Sequence, residues 1–328
     1  MITLSRLEKI FQTFRSKKIL VIGDLMLDQF IWGKVGRISP EAPVPVVEVQ
    51  REEFFVGGAG NVARNLRSLS ASVAVMGRVG KDNEGQRLLS LLKKEKIQTN
   101  AILSMPQLPT IIKTRIIAKP QQVVRVDKEV REPLSEKNLK QAGQLLANAL
   151  TQVDAVIVED YGKGFVTQAL VDELAKQCKK RKKIWLVDPN SQNPLNWLGA
   201  YAIKPNRHEA FSEANLALSE KKETLQKVGQ TLLQKWKTQL LLITLGEQGM
   251  QLFEKGKSAY FSPTKAREVF DVSGAGDTAI AAFTLALISG ATSIEATEIA
   301  NHAAGVVVGK LGTATVLPKE LMESFERG

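Results

Sequence analysis

The sequence predicts an α/β fold, a mostly parallel sheet with helices on both faces, and three observations carry that prediction. Short apolar runs of strand length alternate along the chain with longer amphipathic stretches of helical period. Those runs end repeatedly in polar residues, which a parallel sheet gathers at the rim where ligands sit. With 328 residues, 44% of them hydrophobic, the chain can bury one large core or at most two.

Taken in order, Leu4, Leu7, Ile10, Phe11 and Phe14 among polar neighbours predict an amphipathic opening helix. It does not read as a signal peptide, which needs an apolar core of roughly 7–15 residues and a small-residue cleavage site. Lys18-Ile-Leu-Val-Ile-Gly-Asp24 is an unbroken apolar run, as expected of a strand buried on both faces with a functional loop after it. Asp24 and Asp28 flank Leu25-Met-Leu27. Two carboxylates there suit the hydroxyls of a sugar, and Asp28 equally suits the start of a turn.

Between Gly33 and Phe55, Pro40, Pro43 and Pro45 precede alternating valines, which predicts a small exposed β-flap and not a central strand. Such a flap closes over a site or pairs with a second subunit. Gly57-Gly-Ala-Gly-Asn61-Val-Ala63 then opens a helix to about Ser70. Gly58 to Ala63 formally fits the dinucleotide fingerprint, with Asp82 at the expected distance. The charged Gln50-Arg-Glu-Glu53 before it is no buried first strand, so a glycine-lined helix start offering Asn61 to a polyol is the better reading.

Strands are predicted at Val73 to Gly77, Ala155 to Val158, Ile184 to Val187, Ala202 to Ile203 and Leu240 to Thr244, the last turning through Gly246 to Gly249 into Met250 to Phe253. Thr110 to Ala118 and Gln122 to Asp127 read as paired strands joined at Lys119-Pro120. Helices are predicted over Asn83 to Lys94, Leu134 to Leu150, Thr167 to Lys179, from Asn206 through Glu213, Ser219 to Trp236, Ala275 to Ser289 and Ile294 to Lys310, the last two finishing the domain. The strand ends deliver Asp24, Glu159-Asp160-Tyr161, Asp188-Pro-Asn190, Lys204-Pro-Asn206 with Glu209, and Thr244-Leu-Gly246 to one rim.

Asp271-Val-Ser-Gly-Ala-Gly-Asp277 is the turn around which the rest is organised. It leads into small and apolar residues of high helix propensity, so Asp277 falls in a first helical turn. Unpaired N–H groups and the positive dipole end favour an anion there, and Gly274 and Gly276 clear its approach. The loop can thus hold a moving phosphoryl group while Asp277 takes a proton; a tight turn whose Asp merely favours the dipole has the same sequence.

The formal charge of +11 raises a nucleic-acid partner, yet the cations are interspersed with acids and only 6% of residues are aromatic. Lys179-Lys-Arg-Lys-Lys183 belongs at the polar end of a helix, and the field suits an anionic substrate. A single cysteine, Cys178, excludes an internal disulfide, and His208 and His302 are the only histidines, so no zinc set is expected. No apolar run approaches the roughly 18 residues of a membrane span. A cytoplasmic protein binding neither membrane nor nucleic acid is expected.

Asp271 to Asp277, Gly57 to Ala63 and Asn206-x-x-Glu209 resemble, in order and spacing, the motifs of the ribokinase-like (PfkB) carbohydrate kinases. The resemblance runs over nearly the whole chain. It implies a single ribokinase-like kinase domain over residues 1–328, with a β-lid inserted at about 33–56 and a further lid stretch at 110–127. Arg37 to Pro45, Gly57 to Asn65, Gln121 to Asp127 and Asp160-Tyr-Gly-Lys-Gly164 are similar to the branch acting on D-glycero-β-D-manno-heptose 7-phosphate. That branch uses ATP and Mg²⁺ to phosphorylate O1, on the route to ADP-heptose for lipopolysaccharide core. Kinases of the family acting on fructose, a hexose phosphate or a nucleoside are the alternative. Many members of the branch carry a nucleotidyltransferase domain behind the kinase; no His-x-Gly-His motif occurs here, so that activity is not expected of these residues.

By resemblance, Asp277 matches the catalytic base, with Gly274, Ala275 and Gly276 as its anion hole. Asp24, Asp28, Gly57, Gly58 and Asn61 match sugar-binding positions. Arg125, Asp127 and Lys163 belong to the branch's motifs, and Arg125 or Lys163 is expected at the 7-phosphate because a dianion wants a fixed cation. Asp188, Asn190, Lys204, Asn206 and Glu209 match the ATP-phosphate track, with Glu209 ordering Mg²⁺ through water. Thr244, Gly246 and Gly249 match the nucleotide loop, Asn301 and His302 the adenine wall. The family leaves room for a monovalent cation, and the flap for a homodimer. Each has a plainer reading: Arg125 as the wet side of a strand, His302 as a satisfied helix histidine, Asn206 and Glu209 as a capping box.

Overall fold

The computed structural model describes residues 2–118 and 121–327. Helix α1 (Leu4–Phe14) buries Leu7, Ile10 and Phe14, one helical face, and starts where the Thr3 hydroxyl accepts from the Arg6 N–H. Strand β1 (Lys18–Gly23) follows, then β2 (Leu25–Ile38) and β3 (Pro45–Gly58), helix α2 (Ala59–Ser68), β4 (Ser72–Met76), β5 (Arg78–Gly80) and α3 (Asn83–Lys94). Next come β6 (Leu103–Met105), β7 (Ile111–Ala118), β8 (Gln121–Lys128), α4 (Glu136–Ala149), β9 (Ala155–Glu159), α5 (Gln168–Arg181) and β10 (Ile184–Asp188). The chain continues through β11 (Ala202–Ile203), α6 (Arg207–Glu213), α7 (Lys222–Trp236), β12 (Leu240–Thr244), β13 (Gly249–Glu254) and β14 (Tyr260–Pro263). Helices α8 (Ala275–Ile288), α9 (Ser293–Val308) and α10 (Pro318–Glu326) close it.

Eight strands form the main sheet in the order β14-β13-β12-β11-β10-β9-β1-β4, parallel from β12 to β4 and antiparallel at β13 and β14. Alternate residues of β1 enter opposite cores: Ile19 and Val21 pack with α1, α2, α8 and α9, Leu20 and Ile22 with α4, α5 and α7. Each such fully buried side chain contributes about 1.5–3 kcal/mol, which is why these strands lack polar residues. The chain leaves β1 for β4 on one side and returns to β9 on the other, so a switch point opens between β1 and β9. Asp24 and Tyr161 follow the carboxyl ends of those two strands.

The lid is a separate four-stranded sheet, β3-β2-β7-β8. It begins already at Leu25 and runs to Gly58, not from Gly33, because both strands continue the backbone out of the main core: Leu27, Val56 and Ile112 at its root are buried, whereas β8 is exposed along its length. Asp28, for which a turn was one reading, lies within β2. Pro45 opens edge strand β3, and Pro40 and Pro43 sit in the loop before it, as their missing N–H groups require. The expected Lys119-Pro120 joint lies outside the described residues.

Three features were not expected from the sequence. The short pair β5–β6 and edge strand β14 are too brief for a periodic signal. Helix α10 follows α9, so two helices do not finish the domain; Pro318 at its first position and the Glu320 carboxylate accepting from the Leu317 N–H set its start. Helix α7 starts at Lys222, a little after Ser219. Among the described residues no helix is long and apolar enough to cross a membrane.

Candidate active site

Helix α8 is buried on every side from Asp277 to Ala286, which fixes its N-terminus in the molecule. Gly274 caps it at φ 80°, and a Cβ there would stand 2.7 Å from Asn61 Nδ2, so conformation and space both call for glycine. The Ala275 N–H turns back to the Val272 carbonyl at 3.2 Å, leaving the next first-turn amides for an anion. Asp277 accepts from Asn61 Nδ2 at 2.7 Å through Oδ2 and from the Tyr161 hydroxyl at 2.9 Å through Oδ1. The bond between Asn61 and Asp277 joins the two glycine-rich motifs of the sequence. Burial, with the Asp188 charge behind it, pushes the Asp277 carboxyl up to about 6, while Asn61, Tyr161 and Lys204 restrain it.

Behind Asp277 the strand ends bring Glu159 and Asp188 close, one oxygen of each of the three carboxylates lying within 4.8 Å of the others. Lys204 Nζ binds Asp188 Oδ2 at 2.7 Å, both side chains being buried. Burial works against the Lys204 charge, but Asp188 and Glu159 outweigh it and hold its pKa above the ordinary value. Burial first, then the Asp188 and Asp277 charges, lift Glu159 well above the carboxylate range, and its Oε2 has no partner. A Cβ on Gly276 would stand 3.5 Å from Lys204 Nζ, so the helix mouth opens directly above this ammonium.

A cleft of about 910 Å³ extends from there, lined by Asp188, Asn190, Lys204, Asn206, Glu209, Thr244, Gly246, Gly249, Gly276, Asp277 and Asn301. Asn206 and Glu209 form a reciprocal capping box at α6, Glu209 N–H to Asn206 Oδ1 at 2.9 Å and Asn206 N–H to Glu209 Oε2 at 2.7 Å. The plain reading of this pair therefore holds alongside its place in the cleft. Burial and the Asp188 charge push Glu209 up to about 7. The orphaned Glu159 oxygen and this concentration of carboxylates fit a hard divalent cation, which takes oxygen ligands. Glu159 and Asp188, with Glu209 farther along the cleft, are the residues that would hold Mg²⁺, which would supply charge neutralisation for ATP phosphates.

His302 is a correction: it does not line the cleft. Its Nδ1 lies 2.6 Å from Ser324 Oγ and its ring stacks on Phe325 of α10 at 3.7 Å, because neighbours on a helix point about 100° apart and Asn301 takes the cleft side. Burial pushes His302 down to about 4. The Asn301 amide is itself given to Ser262 and Pro263, so it anchors β14.

Of the residues expected to bind sugar, Asp24 is buried and accepts three backbone N–H groups, from Tyr161 and Lys163 at Oδ2 and Phe165 at Oδ1, at 3.0–3.1 Å. It fixes the 161–165 loop before anything else. Asp28 is buried at the lid root, paired with Arg115 at 2.6 Å, and a Cβ on Gly57 would overlap its Oδ2. Gly58 turns β3 into α2. Of the two cations expected at a phosphate, Lys163 is buried against Glu129 at 2.6 Å, and Arg125 is exposed on β8, paired with its neighbour Asp127 at 2.9 Å.

The residues missed by the sequence reading are Lys113 and Arg115. Register places Asp28, Lys113 and Asp127 in one cross-strand row and Phe30, Arg115 and Arg125 in the next, all on one lid face. Burial, then the Lys163 charge, push Lys113 down. Burial raises Asp271, but bonds from Ser273 and Gly312, with a smaller contribution from the Arg115 charge, hold it below its ordinary value. Lys113 and Arg115 sit two apart in a strand, which was the available signal that they share a face.

Residues 16–320 match the model of the pfkB family carbohydrate kinases. The chain is 42% identical over 323 residues to the bifunctional protein HldE of Geobacter sulfurreducens, covering 98% of this chain and 66% of that protein. It is 44% identical over 305 residues to the protein of the same name from Helicobacter pylori strain J99, covering 93% and 65%. This chain thus spans about two thirds of the length of the curated relatives it matches, 64% of the one from Desulfatibacillum aliphaticivorans. The fold is that of Arabidopsis thaliana ribokinase complexed with ribose and ATP (TM-score 0.73, 19% identity, 94% and 99% of the two chains). It is also that of Escherichia coli phosphofructokinase-2 in complex with potassium (TM-score 0.76, 18% identity, 95% and 98%). The ribokinase-like expectation is met, and with one family model running from before β1 into α10 the chain belongs to the pfkB family of carbohydrate kinases.

Proposed function

We propose that the chain transfers the γ-phosphoryl group of ATP to O1 of D-glycero-β-D-manno-heptose 7-phosphate, giving the 1,7-bisphosphate used for ADP-heptose and lipopolysaccharide core. The observation that carries this reading is the pairing of Asp277, at a helix mouth suited to an anion, with Asn61 of the glycine motif that a sugar would meet. Asp277 takes the proton of the anomeric hydroxyl, the first-turn amides hold the phosphoryl group in flight, and Lys204 balances the charge behind it. The identity to proteins named HldE and the heptose-branch motifs support the sugar; Lys113, Arg115, Arg125 and Lys163 support its phosphate. Coupled ADP release tests the choice. Heptose 7-phosphate is expected to outrun fructose 6-phosphate and ribose, and equal rates on all three would reject the sugar assignment. Lys113→Ala with Arg115→Ala should raise KM for the phosphosugar about 10–100-fold. An unchanged KM would remove the lid cations from the phosphate.

The lid also supports a homodimer. Val35, Val49, Val124 and Val126 are exposed on it, and β3 and β8 leave unpaired edges. Sedimentation is expected to give a dimer that an Asp at Val126 weakens; a monomer at micromolar concentration would refute it.

A further inference from the structure

We propose that Tyr161 is a positioning residue for the base Asp277, holding its carboxylate in one orientation through the phenol hydrogen bond. The inference rests on the reading of Asp277 as base. The tyrosine lies in the Asp160 to Gly164 stretch that resembles the heptose branch, outside the two glycine motifs, and the resemblance gives it no role.

The geometry makes the phenol a fixed donor. Tyr161 heads a loop whose backbone is pinned three times by Asp24, again by the Gly162 N–H on Asp160 Oδ1 at 2.8 Å, and by Arg78 on the Lys163 carbonyl at 2.7 Å. Asn193 holds Asp160 in turn at 3.0 Å. A loop so restrained delivers the hydroxyl to Asp277 Oδ1 at 2.9 Å without further ordering. The partner is a carboxylate oxygen, so the phenol is the donor of this bond.

The chemistry needs such a donor. Two donors, the Asn61 amide on Oδ2 and the Tyr161 hydroxyl on Oδ1, fix the carboxylate plane, and each oxygen keeps a lone pair for the incoming hydroxyl. In the step itself the sugar O–H breaks, its proton passes to Asp277, and the oxygen attacks phosphorus as the ADP oxygen leaves; Tyr161 keeps its own proton throughout.

The test compares kcat and sugar KM for the whole chain and for Tyr161→Phe, with the melting temperature of each. Tyr161→Phe is expected to lower kcat about 10–100-fold while sugar KM and the melting temperature stay near normal. In the Asp277→Asn background, Tyr161→Phe should slow turnover little further, since residues acting through one another are not additive. An unchanged kcat, a rate loss matched by a lowered melting temperature, or a full additional loss on Asp277→Asn would overturn the positioning role. Near-normal turnover of Asp277→Asn alone would instead overturn the base on which it depends.

Discussion

Asp277→Asn is expected to lower kcat by about 10²–10⁴ and leave sugar KM little changed. The amide keeps the shape and can still sit between Asn61 and Tyr161, but it cannot take up a proton. With the carboxyl at about 6, activity of the unaltered chain should fall as pH drops below that value, because only the ionised form is a base. The acid limb should vanish in the variant. Steady-state ADP release between pH 5 and 9 checks both; near-normal turnover, or a limb that persists, would remove Asp277 from the proton transfer.

Lys204→Met is expected to cost about 3–5 kcal/mol of stability at neutral pH, because it removes one partner of a buried ion pair. Asp188 then lies beside Glu159 and Asp277 with no ammonium to balance them. The sign of the pH dependence follows. Losing Lys204 lifts these carboxyl pKa values further above their unfolded ones, so the variant binds more protons than the parent and loses stability faster as pH rises. The deficit against the parent protein should therefore shrink toward pH 5. Urea unfolding at pH 5 and pH 8 measures it, and equal midpoints for parent and variant at pH 8 would mean that Lys204 does not balance the cluster.

What the sequence displayed and what it hid divide by physical cause. The core strands were readable because burial on both faces demands unbroken apolar runs, as at Lys18 to Gly23 and Leu240 to Thr244. Helix α8 was readable from Gly274 and the small residues after it. Cross-chain partners were hidden: no local pattern tells that Asn61 and Tyr161 meet at Asp277, or that Lys113 joins the lid face of Asp28 and Asp127. His302 was misplaced because adjacency in a motif says nothing about which side of α9 each residue takes. Glu159 was seen at a strand end, but its orphaned oxygen and its raised pKa come from the folded surroundings, burial first and then the Asp188 and Asp277 charges.

The central claim is that a sugar hydroxyl meets Asp277 at the mouth of α8, beside Asn61. A crystal structure with heptose 7-phosphate and a non-hydrolysable ATP analogue tests it most directly. The account predicts the anomeric oxygen within hydrogen-bond reach of Asp277, roughly 2.6–3.2 Å, with the terminal phosphate at the α8 amides and the 7-phosphate against Lys113 and Arg115. A sugar bound elsewhere, or one presenting its phosphate to Asp277, would contradict it.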